Sequence, residues 1–343
     1  MKILITGATG FIGREIVSEF ALNNYKVFAL GNSKKNAEKN IDGVEFFYTD
    51  ISDYENLSAL EKLDTIDLVI HSAGLAHQFG ETKWEDFERV NIQGTENVLE
   101  LAIKLQARHF ILIGSTAIYG NIDRESGGKS ENHFVYDENT PADPQTLYAK
   151  SKLESENVAR RICEANNIAL TIFRLAPVIG EANVGNVARL ISAIDKNRFL
   201  WIGDGSNLKT LIYKRDVARA CVKVAEKKRF GIEVFNLAGE PIKMKDFVNE
   251  ISRRLDKKIF PVSIPASLLR IGFRVNSRIF KLGKVEKLSE TIEKWLSDDI
   301  YSAENIRQAY GFEPQTPIVE AIAKQVDFYK SAGRYISDNC DKK

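Results

Sequence analysis

Cysteine is scarce and poorly spaced for chemistry. Cys163, Cys221 and Cys340 are odd in number and far apart, which fits neither a disulfide framework nor a zinc or redox pair. Free thiols in a reducing compartment are expected. The four histidines, His71, His77, His109 and His133, show no metal-ligand spacing, so no metal site is expected. An excess of one charge is also missing: 48 Lys+Arg against 47 Asp+Glu leave a formal charge of +1. That balance excludes a nucleic-acid binder relying on a basic face. No apolar run approaches the roughly 20 residues of a membrane helix. The apolar opening Met1–Ile5 is broken by Thr6, Gly7 and Gly10 with no cleavage-like site after it, so a cytoplasmic protein without a signal peptide is expected. Internal repeats and low-complexity segments are absent.

What is present is an alternating rhythm. Short, branched, nearly continuous apolar runs at Lys2–Thr6, Lys26–Leu30, Val44–Tyr48, Asp67–His71, His109–Gly114 and Ala169–Leu175 read as parallel strands covered on both faces. Helical patterns lie between them, with Ile12, Ile16 and Phe20 at helical spacing and a long pattern over Trp84–Gln106. The alternation predicts an α/β fold of Rossmann type, a right-handed, doubly wound parallel sheet, over residues 1–177. From about Pro177 the rhythm changes. Helices are expected near Val184–Asp195, Lys214–Lys228, Met244–Leu255 and Pro317–Lys330, with a strand at Glu233–Leu237. Residues 178–336 thus read as a smaller, mixed substrate-binding lobe with segments returning to the main sheet. Leu268–Leu282, with Arg270, Arg274 and Arg278, reads as a packed helix rather than a membrane-surface one.

Gly7-Ala8-Thr9-Gly10-Phe11-Ile12-Gly13 directly follows the first strand and opens the first helix. Gly7 permits the tight turn, Gly10 lets backbone approach a pyrophosphate, and Gly13 permits close helix–sheet packing. The helix N-terminus then offers its free N–H groups to phosphate. This context predicts dinucleotide binding. An acid that would take the ribose 2′-hydroxyl of NAD is missing after the second strand, where the chain reads Leu30-Gly31-Asn32-Ser33-Lys34-Lys35. Asn32 and Ser33 stand at the ribose position, and the lysines would welcome a 2′-phosphate, so NAD and NADP are equal candidates. Asp50, followed by Ile51, is placed either to accept a hydrogen bond from the adenine amino group or to cap the next helix.

Tyr148 and Lys152 lie four apart on a strongly helical stretch running to about Ala165. A phenol titrates too high for easy proton exchange at neutral pH, and a nearby ammonium would lower it. Tyr148 could then exchange a proton with an alcohol or ketone, and Lys152 could hold the cofactor ribose. Ser115 stands at the carboxyl end of the fifth strand, where such sheets bind ligands, and its hydroxyl could hold the substrate oxygen. Alternatively, Ser115 and Thr116 serve only the loop backbone.

The glycine turn, Ser115-Thr116-Ala117-Ile118-Tyr119-Gly120, the Tyr148/Lys152 pair and Arg174-Leu175-Ala176-Pro177-Val178-Ile179-Gly180 together resemble the extended short-chain dehydrogenase/reductase family, of the NAD-dependent epimerase/dehydratase type. The likeness is greatest to UDP-galactose 4-epimerases and nucleotide-sugar 4-keto reductases. It implies a nucleotide-sugar oxidoreductase moving hydride at C4 of a UDP-linked hexose, with Ser115, Tyr148 and Lys152 catalytic. It further implies that Phe11, Ile12, Ala73, Asn91 and Val178 touch or support the cofactor, and it allows a homodimer. Relatives often carry an arginine after Gly-Asp-Gly to meet the nucleotide diphosphate; here Gly203-Asp204-Gly205 leads to Lys209, which lacks the bidentate fork. Asn186 and Arg189 resemble nucleotide-contacting positions or form a solvated helix face. The long loop from Asn121 to Asp137 is a candidate lid. An epimerase and an NADPH-dependent reductase would share every catalytic residue. A non-catalytic redox sensor should lack the tyrosine–lysine pair, and a steroid or flavonoid reductase would find Arg189 and Lys209 awkward.

Overall fold

The computed structural model describes residues 1–32, 41–76, 82–120, 133–227, 230–260, 263–265 and 293–332. Seven strands form one parallel sheet: β1 (Lys2–Thr6), β2 (Lys26–Gly31), β3 (Val44–Tyr48), β4 (Leu68–His71), β5 (His109–Ser115), β6 (Ala169–Leu175) and β7 (Ile232–Leu237). Their spatial order is β7-β6-β5-β4-β1-β2-β3, so the chain reverses direction between β1 and β4. The crevice at such a reversal, outside the carboxyl ends of the strands, is where ligands of open α/β sheets bind.

Helices cover both faces. α1 (Gly13–Leu22) and, from the later half of the chain, α7 (Lys214–Ala225) pack on one side, burying Ile16, Val17, Phe20, Val217 and Cys221 against Ile3, Ile5 and Phe173. On the other side lie the short α2 (Tyr54–Ser58), α4 (Gly94–Lys104) and α5 (Leu147–Ala165), with Val98, Leu101, Ala159 and Cys163 against Leu4, Val69 and Phe110. Two buried faces account for the nearly unbroken apolar character of these strands. Both described cysteines are buried free thiols.

The expected long helix at Trp84–Gln106 is three pieces: α3 (Trp84–Phe87), a π-helical segment Glu88–Gln93 and α4. A wide turn inserted in a helix leaves the apolar periodicity on either side nearly intact, so the pattern could not reveal it. The remaining elements form a third core around Ile179, Ile191, Phe247, Ile251 and Val326. It is built by α6 (Asn186–Asp195), α8 (Met244–Leu255) and α10 (Ile318–Ser331), while α9 (Glu304–Tyr310) lies beside β7. Among the described residues no helix is long and apolar enough to cross a membrane. Leu268–Leu282 and His77 lie outside the described residues.

Two histidines lie in the sheet, His71 buried and His109 half-buried. His71 joins Thr6 Oγ1 at 2.7 Å and Thr95 Oγ1 at 3.1 Å, and His109 meets Thr171 Oγ1 at 2.9 Å. Burial holds His71 down to about 3 and His109 down to about 4, against an ordinary 6.5. The unfolded chain therefore takes up protons below about pH 6.5 that the folded chain refuses. Stability present above that pH should fall as pH drops through the window, by about 1.4 kcal/mol per pH unit for the fully buried His71. Denaturant unfolding at pH 7, 6 and 5 measures this slope. His71→Gln should flatten it, and an unchanged slope would refute the assignment.

Candidate active site

The glycine turn is shaped by what a side chain would meet there. Gly7 has φ +68°, and a Cβ on it would lie 2.6 Å from the amide nitrogen of Ala73. A Cβ on Gly13 would fall 2.1 Å from Gly7 O, so α1 lies directly on the turn. Gly10 N donates to Gly7 O at 2.8 Å, closing the loop. No side chain caps α1, since Ile12 holds the N-cap position. Arg14 N donates to Gly10 O at 3.2 Å, and no side-chain cap competes with an anionic ligand for the other leading N–H groups of this helix. Such a turn, close against β4 and open at its helix end, fits a dinucleotide pyrophosphate.

Beside it is a cavity of about 270 Å³ at the carboxyl ends of β1, β4, β5 and β6. Ile12 comes from the glycine turn, Ala73 from the segment after β4, Ser115 from β5, Tyr148 and Lys152 from α5, and Val178 from the segment after β6. Six residues expected from the sequence thus converge on one space. Thr146 starts α5 by accepting a hydrogen bond from Ala149 N at 3.1 Å, which fixes where the helix presents Tyr148. The Tyr148 ring packs 6.3 Å from that of Phe87, and its hydroxyl faces Ser115, whose side chain favours the ionised phenol. Lys152 Nζ donates to Ile113 O at 2.6 Å.

The electrostatics differ from the expectation for the phenol. Burial pushes Tyr148 above its ordinary value, opposed only by the Ser115 side chain. The expected lowering by Lys152 is not found: the ammonium is engaged by the Ile113 carbonyl, and burial brings Lys152 itself down to about 8 against the pull of Glu156. A free Tyr148 is therefore a held proton, and a further positive charge in the cavity is needed to loosen it.

Other expected residues take supporting places. Asn91, in the π-helical segment, accepts from Leu75 N at 2.6 Å and donates to Leu75 O at 3.1 Å and Ser151 Oγ at 2.9 Å. It pins the cavity wall to α5. Phe11 lies under Lys214 Nζ, 5.7 Å from its ring centre. Asp50 turns its carboxylate to Ser52 N at 2.9 Å, with Arg89 at 3.5 Å, while Asp53 rather than Asp50 caps α2. Ile51 is buried, and its carbonyl accepts from Asn97. Asn32 is exposed at the end of β2; Ser33, Lys34 and Lys35 lie outside the described residues.

Of the four residues expected to contact substrate, Ser115 lines the cavity, whereas Asn186, Arg189 and Lys209 do not. Lys209 Nζ is engaged by Asp299 Oδ2 at 2.6 Å and by Lys294 O at 2.7 Å. The charge of this half-buried lysine is thus already engaged by a carboxylate. Asn186 and Arg189 sit on α6, apart from the lining. Lys294, Asp299 and Tyr301, which sequence reasoning missed, are part of the lining instead. They follow Lys152 by more than 140 residues, and no local signal links them to it. Of the loop from Asn121 to Asp137, Val135–Tyr136 is a short strand paired with Ile300–Tyr301, which brings Tyr301 to the site; residues 121–132 lie outside the described ones. Among the described residues no group of three or more His, Cys, Asp or Glu could hold a metal ion.

A glycine turn at a sheet reversal, with a tyrosine and a lysine in the adjoining cavity, defines a nicotinamide-dependent enzyme on a Rossmann-type fold. The chain belongs to the NAD dependent epimerase/dehydratase family, whose profile matches residues 3–238. It is 29% identical over 323 residues to an N-acetyl-alpha-D-glucosaminyl-diphospho-ditrans,octacis-undecaprenol 4-epimerase of Escherichia coli O157:H7, covering 92% of this chain and 91% of that protein. It is 25% identical over 343 residues to a dTDP-D-glucose 4,6-dehydratase of Homo sapiens, covering 96% and 90%. Among solved structures, a UDP-glucose 4-epimerase with UDP-glucose from Thermotoga maritima superposes with a TM-score of 0.74 at 22% identity, covering 97% of this chain and 99% of that one.

Proposed function

We propose that this chain is a C4 epimerase of a diphosphate-linked hexose, using NAD or NADP, with Ser115, Tyr148 and Lys152 as its catalytic residues. The observation that carries the reading is the convergence of these three side chains on a cavity beside the glycine turn. A nicotinamide dinucleotide bound in that turn supplies a hydride acceptor and, when oxidised, a cationic ring. Tyr148 takes the proton of the C4 hydroxyl as hydride leaves, and returns it to the ketone oxygen afterwards. Ser115, which lines the same cavity as Tyr148, holds that oxygen in line. Lys152, seated on the Ile113 carbonyl, keeps further N–H donors with which to anchor the ribose. Rotation of the keto sugar between the two transfers exposes its other face.

A UDP-linked hexose is the first substrate class, supported by the family resemblance. A second is a hexose on a polyprenyl diphosphate, as in the name of the Escherichia coli relative. The pairing of Lys209 with Asp299 does not separate the two, because both carriers present a diphosphate. One panel separates the readings. UDP-glucose, UDP-N-acetylglucosamine and polyprenyl-diphosphate N-acetylglucosamine are each incubated with the purified chain, and sugar configuration and cofactor oxidation state are followed. Epimer formed without net change in the cofactor is the expected result. Stoichiometric consumption of NADPH by a 4-keto sugar, with no epimer from any of the three, would replace the epimerase by a reductase.

A further inference from the structure

Directly behind Tyr148 and Lys152 lies a buried charge cluster that the proton and hydride steps do not use. Glu156 stands one turn beyond Lys152 on α5 and is only 1% exposed, with Arg174 at 8% and Lys152 at 8%. Arg174 grips the carboxylate in a forked pair, Nη2 to Oε2 at 2.8 Å and Nε to both oxygens at 3.2 Å. A Cβ on Gly114 would lie 3.1 Å from Glu156 Oε1, so the carboxylate rests against β5 between Ile113 and Ser115. Those residues supply the acceptor of Lys152 and the hydroxyl facing Tyr148. Arg174 Nη1 donates to Tyr119 Oη at 3.0 Å, and Tyr119 donates to Asn236 Oδ1 at 2.7 Å, which carries the network to β7.

The charged and titratable groups around Lys152 come from several elements. α5 supplies Tyr148, Glu156 and, a turn beyond, Arg160; β4 supplies His71, neutral through burial; β6 supplies Arg174; and the far cavity wall supplies Lys294 and Asp299. Within the buried cluster, one carboxylate faces two cations, Lys152 and Arg174.

We propose that Glu156 is a positioning residue for Lys152: its carboxylate, held in place by Arg174, keeps the buried ammonium charged and seated on the Ile113 carbonyl. The proposal rests on the hydride-transfer reading above. Burial alone drives an ammonium toward its neutral form, and a fixed negative charge one helical turn away opposes this. The direction agrees with the balance at Lys152, where burial lowers the value and Glu156 raises it. The fork matters because it fixes the carboxylate without neutralising a proton site: an arginine stays charged at every working pH.

The test follows Lys152 directly, through the pH titration of ¹³Cε-labelled lysine resonances, with Lys152→Arg identifying the signal. Glu156→Gln should lower the Lys152 midpoint by about one pH unit or more, and the alkaline limb of kcat should move down with it. Should the glutamine variant fail to fold, Glu156→Asp should give a smaller shift in the same downward direction. A midpoint unmoved in folded variants would overturn the proposal, even if their melting temperatures fall, because a merely structural ion pair would alter stability alone. The titration needs no substrate. An active Tyr148→Phe variant would therefore sink the hydride reading, whereas an unmoved Lys152 beside an inactive Tyr148→Phe would sink only the role of Glu156.

Discussion

Tyr148→Phe is expected to cut turnover by about 10²-fold or more while leaving dinucleotide binding nearly intact. The expectation follows from where the oxygen sits. The phenol faces Ser115 inside the cavity, and burial raises its pKa, so in the free chain it holds its proton firmly. An oxidised nicotinamide in the adjoining turn would add the missing positive charge, making proton release coincide with cofactor loading. Removing only the oxygen deletes the proton carrier but keeps the ring against Phe87, which preserves the wall of the cavity. Cofactor affinity from fluorescence titration and kcat from epimer formation give the two numbers. Turnover within a few-fold of the parent would refute the mechanism; joint loss of affinity and turnover would assign Tyr148 to binding.

The sheet was legible because parallel strands covered on both faces leave short, branched apolar runs, and residues such as Ile3–Ile5 or Leu170–Phe173 have no other use. The glycine turn was legible for a related reason: backbone contact imposes residue type, as the contact of Gly13 with Gly7 O shows. The Tyr148/Lys152 pair could be read because helical spacing places both on one face. What stayed hidden depends on tertiary charge. Glu156 reads as an ordinary helix carboxylate until Arg174 on β6 is seen to grip it. Lys209 has the charge to meet a phosphate, but Asp299, 90 residues later, takes it first. The pKa of Tyr148 could not be judged from its spacing to Lys152, because the Ile113 carbonyl that engages the ammonium belongs to another element.

Gly13→Ala should abolish cofactor retention, with a loss of stability larger than that of alanine at an open left-handed glycine. A Cβ at Gly13 would sit 2.1 Å from Gly7 O and 2.7 Å from Gly7 C, both backbone atoms, so no side-chain rotation can relieve the overlap. Either α1 must back away from the sheet or the turn must open. The first disturbs the packing of Ile16 and Phe20, and the second destroys the phosphate cradle. Overpacking of this kind typically costs about 1–3 kcal/mol in a core, and here the neighbours are less yielding than side chains. Gly311→Ala is the matched control. Its φ is +64° with nothing within 4 Å of the added Cβ, so only the backbone penalty of about 1–2 kcal/mol applies, and cofactor should be retained. The absorbance of nicotinamide carried through purification reports retention, and denaturant unfolding reports stability. Full retention in Gly13→Ala would mean that the turn is not where the pyrophosphate lies, and the site beside it would need another ligand.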